Sequence, residues 1–186
     1  MPRVFVAAEI YKKNEIQKIQ QNLVSYLNLD NKNLKLVRPE NFHFTLVFFG
    51  EVNNSILDNI VTKISEIDFH SYKINYGKIG AFPNNNHAKV VWLGLDEATG
   101  HAFNEMSDNV ISKLIELDLK LEKEIEKEII PHITLFRTRK VSLNLNLHNI
   151  ESDFTISDRI DTISVKKSMT RSHGPVYENI ISVKGK

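Results

Sequence analysis

Asn41-Phe42-His43-Phe44-Thr45-Leu46-Val47-Phe48-Phe49-Gly50 and Ile129-Ile130-Pro131-His132-Ile133-Thr134-Leu135-Phe136-Arg137 decide how this chain folds. Both are runs of aromatic and β-branched residues bounded by Gly or Pro, the composition of a strand. Side chains alternate along a strand, so His43 and Thr45 share one face, as do His132 and Thr134. Phe44 and Leu46, like Ile133 and Leu135, then point into a core. Each strand offers an imidazole and a hydroxyl about 6–7 Å apart along one side. A lone H-x-T is ordinarily a half-buried His beside a Thr that suits a strand. Two copies, each with an apolar residue after the His and a Leu after the Thr, indicate a shared task. Two such strands facing each other would set two imidazoles and two hydroxyls around one small anion.

Outward from these motifs the chain repeats an order. R-V-F-V-A-A-E-I at 3–10 reads as a buried strand. Ile16, Ile19, Leu23, Val24 and Leu27 predict a helix over 14–28, with Asn14 as its N-cap. A short strand, Leu34 to Val37, ends at Arg38-Pro39, and the first motif follows. Asn53 or Asn54 caps a second helix with Ile56, Leu57, Ile60, Ile64 and Ile67 as its apolar stripe. Residues 69–80 read as a strand and A-F-P-N-N-N-H at 81–87 as a turn. Then K-V-V-W-L-G-L at 89–95 resembles the first strand. Phe103, Met106, Val110, Ile111, Leu114 and Ile115 mark an amphipathic helix over 99–118, and the second motif follows. The charged stretch 120–130 is expected to form a solvated edge strand. Alternating segments after 139 predict further strands, the last entered through Gly174-Pro175. Strand, helix, H-x-T, occurring twice, predicts an α+β fold. Two pseudo-symmetric lobes of antiparallel sheet, with outer helices, flank a central cleft in one domain over 1–186.

Composition narrows the function. At 186 residues, 41% hydrophobic and 25% charged, the chain suits one globular domain. A net charge of +1 gives no global field for long nucleic acid, so any such contact is local to one pocket. The absence of cysteine excludes disulfides, zinc-thiolate sites and a thiol nucleophile, and fits a cytoplasmic location. No stretch suits a membrane span or a signal peptide. A monomer is expected.

Nucleotide-binding fingerprints are missing: there is no G-x-x-x-x-G-K-[ST] loop and no G-x-G-x-x-G. The remaining His residues, 70, 87, 101, 148 and 173, are scattered, and neither motif brings a carboxylate beside its imidazole, so no metal site is expected. Two imidazoles suit general acid–base chemistry near neutral pH, one taking a proton from water and the other giving one to a leaving oxygen. That matches in-line displacement at phosphorus, with Thr45 and Thr134 donating to the non-bridging oxygens. Acyl or glycosyl transfer would need a nucleophile beside its base, or paired carboxylates.

These stretches resemble the 2H phosphoesterase superfamily, and within it the RNA 2′,3′-cyclic phosphodiesterases, also called 2′-5′ RNA ligase or LigT-like proteins. The likeness runs through R-V-F-V-A-A-E-I, V-R-P-E-N-F-H-F-T-L-V-F-F-G-E-V, G-A-F-P, V-V-W-L-G-L, P-H-I-T-L-F-R and K-S-M-T-R-S-H-G-P-V-Y. The Asn/Leu-rich region 141–150 departs from it, since relatives often carry more helix there. The resemblance implies a bilobal LigT-like fold without cofactor. It implies hydrolysis of a 2′,3′-cyclic phosphate on an RNA end or small cyclic nucleotide to a 2′-phosphate. His43 would then give the proton to the leaving 3′ oxygen, His132 would activate water, and Thr45 and Thr134 would hold the phosphoryl oxygens. 2′-5′ ligation by the same pair, and a non-catalytic binder of RNA ends, are the alternatives. Arg139, Arg171 and Tyr177 are further candidates for phosphate or ribose contacts, and Phe48 for base stacking, although alternation sends one of Phe48 and Phe49 into the core. Arg38 and Trp92 read as a surface charge and a core aromatic.

Overall fold

The structure is a computed structural model that describes residues 1–115, 117, 130–139, 143–145, 156–171 and 174–186. Its described elements run β1 (Arg3–Ala8), α1 (Lys13–Tyr26), β2 (Leu34–Leu36), β3 (Phe44–Glu51), α2 (Asn54–Ser65), β4 (Tyr72–Phe82), β5 (Val90–Leu95), α3 (Glu97–Ile115), β6 (His132–Thr138), β7 (Ser157–Ile160), β8 (Thr162–Arg171) and β9 (Gly174–Lys184). One sheet has the order β3-β1-β8-β9 and the other β2-β6-β5-β4-β7. Among the described residues all neighbouring strands pair antiparallel. The repeat is visible in this order. β1 lies beside the first motif strand as β5 lies beside the second, and β8 and β4 take the matching far sides.

The two lobes share one apolar core. Phe44 of β3 packs on Tyr76 of β4 and Phe103 of α3, with ring centroids 6.2 and 5.1 Å apart. Each H-x-T strand thus turns its intervening residues inward: Phe44, Leu46, Ile133 and Leu135 are all buried. Trp92 is buried too, as its apolar strand predicts. Its indole lies across two bare backbone positions. A Cβ at Gly80 would overlap it, and one at Gly94 would sit 2.9 Å from Cζ3. No helix among the described residues is long and apolar enough to cross a membrane.

Helix starts differ from the sequence expectation in one instructive place. Asn53 does cap α2, its side chain accepting from Ile56 N at 2.9 Å. Asn14, in contrast, lies inside α1, and Lys12 stands at the cap with no side-chain capping bond of its own. The buried Asp158 of β7 supplies the acceptor instead. Its Oδ2 takes bonds from Tyr11 N at 3.0 Å, Lys12 N at 2.9 Å and the Tyr76 hydroxyl at 3.1 Å. This carboxylate sits at the positive end of α1 and takes the N–H groups just ahead of its first turn, but nothing near Asn14 in the sequence announces it. The expected edge strand over 120–130 falls almost wholly outside the described residues, as does most of 141–150. Leu143 forms an isolated bridge to Ala88.

Candidate active site

His43 immediately precedes β3 and His132 begins β6. Each ring is fixed in the same way. His43 Nδ1 lies 2.6 Å from Asn41 O, and His132 Nδ1 lies 2.7 Å from Ile130 O. A carbonyl only accepts, so Nδ1 carries the hydrogen in both rings. Nε2 is left to accept a proton when the ring is neutral and to donate one when it is charged. Aromatic walls hold both imidazoles. His43 packs against Phe5 at 5.0 Å and edge-on to Tyr177 at 5.3 Å. His132 packs edge-on to Phe82 at 5.0 Å and against Trp92 at 6.0 Å.

His43, Thr45, His132 and Thr134 line one cleft of about 270 Å³, and Phe48, Arg137 and Tyr177 line it with them. Far-apart stretches of the sequence therefore do meet around one small volume. The third member on each strand owes its place to a β-bulge. Across β1 and β3 the register passes from Ala7↔Thr45 to Val6↔Val47, leaving Leu46 as the extra residue. Across β5 and β6 it passes from Trp92↔Thr134 to Val91↔Phe136, leaving Leu135 extra. One extra residue reverses the alternation beyond it. Phe48 and Arg137 consequently face the side of His43–Thr45 and His132–Thr134, although strict alternation would turn them away. Phe48 is 52% exposed and Phe49 packs against the core.

The second bulge has a dedicated support. The carbonyl of Leu135 accepts from Val37 N at 2.9 Å and from Gln20 Nε2 at 2.6 Å. Gln20 also donates to Val37 O at 2.9 Å and is buried. A buried amide held to two backbone carbonyls is costly to remove. It fixes α1, β2 and the motif strand β6 together.

The electrostatics of the two rings share a sign. Burial lowers His43 to about 4. The bond to the Asn41 carbonyl opposes this, and Lys166 and Lys13 add to it. Burial lowers His132 also, against the Ile130 carbonyl bond and with help from Arg137. Lys166 is itself buried on β8, 2.6 Å from Glu9 Oε1 and 2.8 Å from Asn179 Oδ1. In the free protein both rings are thus neutral at pH 7 and present two bare Nε2 acceptors.

Other sequence candidates land elsewhere. Arg139 Nε donates to Leu34 O at 2.9 Å, pinning β2 beside β6, and does not line the cleft. Arg171 is exposed at the far end of β8, paired with Gly174, and does not line it either. Arg137, two residues before Arg139, lines the cleft because of the bulge. Arg38, expected as a plain surface charge, lines it together with Lys35. Among the described residues no group of three or more metal-ligating side chains is assembled.

The LigT like Phosphoesterase family matches residues 12–92. The RNA 2′,3′-cyclic phosphodiesterase of Methanocaldococcus jannaschii is 30% identical over 187 residues, covering 96% of this chain and 98% of its own. That of Aeropyrum pernix is 31% identical over 155 residues, covering 81% of this chain and 86% of its own. Among solved structures, E. coli LigT in complex with 3′-AMP superimposes with a TM-score of 0.78 at 18% identity, over 99% of this chain and 98% of that one. TT0787 of Thermus thermophilus does so with a TM-score of 0.75 at 19% identity, over 98% and 97%. The structural likenesses establish the bilobal LigT-like fold.

Proposed function

The chain belongs to the LigT-like RNA 2′,3′-cyclic phosphodiesterase family, and from that premise we propose that it hydrolyses a 2′,3′-cyclic phosphate to a 2′-phosphate by two-histidine acid–base catalysis. The supporting observation is the matched pair of rings: one cleft, two imidazoles, each with Nδ1 tied to the carbonyl two residues back. A phosphorus centre between two Nε2 atoms has a proton acceptor on one side and a proton donor on the other. That is what in-line displacement requires.

In the proposed step, His132 Nε2 takes a proton from water as the water oxygen bonds to phosphorus. The bond from phosphorus to O3′ breaks, and O3′ takes the proton from His43 Nε2–H. The 2′ ester remains. Both rings are neutral in the free protein, so the donor must acquire its proton with the substrate. An anionic phosphodiester beside a desolvated imidazole favours the charged ring and reverses the effect of burial. Thr45 and Thr134 donate to the non-bridging oxygens, and Arg137 neutralises the charge that grows on them. Phe48 offers a face for the base. The order of donor and acceptor follows the family resemblance.

Incubation with 2′,3′-cyclic AMP in EDTA tests this reading. Chromatography against both standards is expected to show 2′-AMP as the product. Formation of 3′-AMP, or no turnover, would refute it.

A further inference from the structure

Among the described residues three cations line the cleft, Lys35, Arg38 and Arg137, and no carboxylate does. Lys35 and Arg137 stand directly opposite each other in the β2–β6 ladder. Residues so placed project from the same face, and like charges in that position weaken a ladder. Arg38 has Glu40 at 3.8 Å, an exposed pair that screens it only weakly. Among the described residues Lys35 has no carboxylate partner. Its stem passes beside the β8–β9 hairpin, where a Cβ on Gly174 would lie 3.6 Å from Lys35 Cε. Gly174 and Pro175 line the cleft there. Lys35 therefore stands where the edge strand of one lobe meets the hairpin of the other, at one end of the reaction cleft.

A single cyclic phosphodiester carries one negative charge, and Arg137 with the two threonines already answers it. Lys35 is exposed on the cleft wall, so its charge is open to a second anion. A 2′,3′-cyclic phosphate closes the 3′ end of a chain, so any further phosphate on the same strand hangs from the 5′ oxygen. We propose that Lys35, flanked by Arg38, forms a second phosphate subsite for the internucleotide phosphodiester on the 5′ side of the terminal nucleotide, so that the cleft selects oligoribonucleotide ends over mononucleotides. The proposal rests on the phosphodiesterase reading. Lys35 is a specificity residue in it and takes no part in the proton transfers.

The test compares 2′,3′-cyclic AMP with adenylyl-adenosine bearing a terminal 2′,3′-cyclic phosphate, in the full chain and in Lys35→Ala and Lys35→Arg variants. Wild type is expected to prefer the dinucleotide in kcat/KM. Lys35→Ala should lower the dinucleotide value about tenfold more than the mononucleotide value, the size of one charge-assisted contact, and Lys35→Arg should restore most of it. Raising salt from 50 to 200 mM should cost the dinucleotide roughly two- to threefold more than the mononucleotide, and this excess should vanish in Lys35→Ala. Equal losses on the two substrates, or no preference in wild type, would overturn the proposal. Calorimetric titration with the 2′-phosphate products keeps the two readings separable. If neither cyclic substrate turns over, the phosphodiesterase reading fails. The subsite still stands when Lys35→Ala weakens only the dinucleotide product, and falls when it weakens both alike.

Discussion

The two H-x-T strands carry the same device with different endings. In each, the imidazole is tied by Nδ1 to the carbonyl two residues back, the threonine follows on the same face, and the next leucine is the extra residue of a bulge. Past the bulge one strand presents Phe48 and the other Arg137. The surroundings diverge in the same sense. His43 sits deep among Phe5, Tyr177 and the buried Lys166–Glu9 pair, whereas His132 sits nearer an open cation. In the proposed reaction the shared part supplies the two proton-handling groups. The divergent part gives a nearly symmetric cleft a direction, with an apolar face on one side and a positive one on the other.

Breaking the shared part should have the largest effect. His43→Ala and His132→Ala are each expected to lower turnover by about 10²-fold or more, and the double variant should cost far less than the product of the two, since either loss already disables the pair. Steady-state kinetics on 2′,3′-cyclic AMP measure this, and fully multiplicative losses would mean the rings act separately. The divergent part should split by parameter. Arg137→Ala is expected to lower kcat by about 10²-fold, because its charge answers one that develops in the transition state. Phe48→Ala is expected to raise KM by about tenfold with little change in kcat, as the loss of a stacking face does. Equal effects of the two changes on both parameters would erase the proposed direction of the cleft.

A smaller effect follows from the depth of His43. Its folded pKa is about 4, below the ordinary 6.5. Between these values the unfolded chain binds a proton that the folded one does not, so stability falls as pH drops through this window and levels off below it. Denaturant unfolding at pH 7 and pH 4.5 should show a loss of about 2–3 kcal/mol from this group, and His43→Asn should remove that portion. An unchanged pH dependence in the variant would place His43 in a more solvated setting.

Much of this was legible in the sequence because it rests on local pattern. The H-x-T alternation, the helix stripes and the repeated order determined the α+β bilobal fold, the cleft position of Thr45 and Thr134 and the core position of Phe44 and Leu135. What escaped was set by register or by distant partners. A bulge is a property of two strands, so Arg137 could not be preferred to Arg139 from one strand alone. Leu135, the residue on which that register turns, is held by Gln20, which reads in sequence as an ordinary polar residue on a helix. The carboxylate at the start of α1 comes from Asp158, well over a hundred residues away. Lys35 and Arg38 matter only because β2 lies beside β6.

The central claim is that two neutral, desolvated imidazoles share the proton work at one phosphorus. The pH dependence of kcat/KM for 2′,3′-cyclic AMP, measured for wild type, His43→Ala and His132→Ala, tests it most directly. Both rings are lowered by burial in the free protein, so the form with one ring charged and the other neutral is most populated below pH 6.5. The wild-type profile should be a bell with its maximum there, and each variant should lose one limb. A bell that survives intact in either variant would contradict the account.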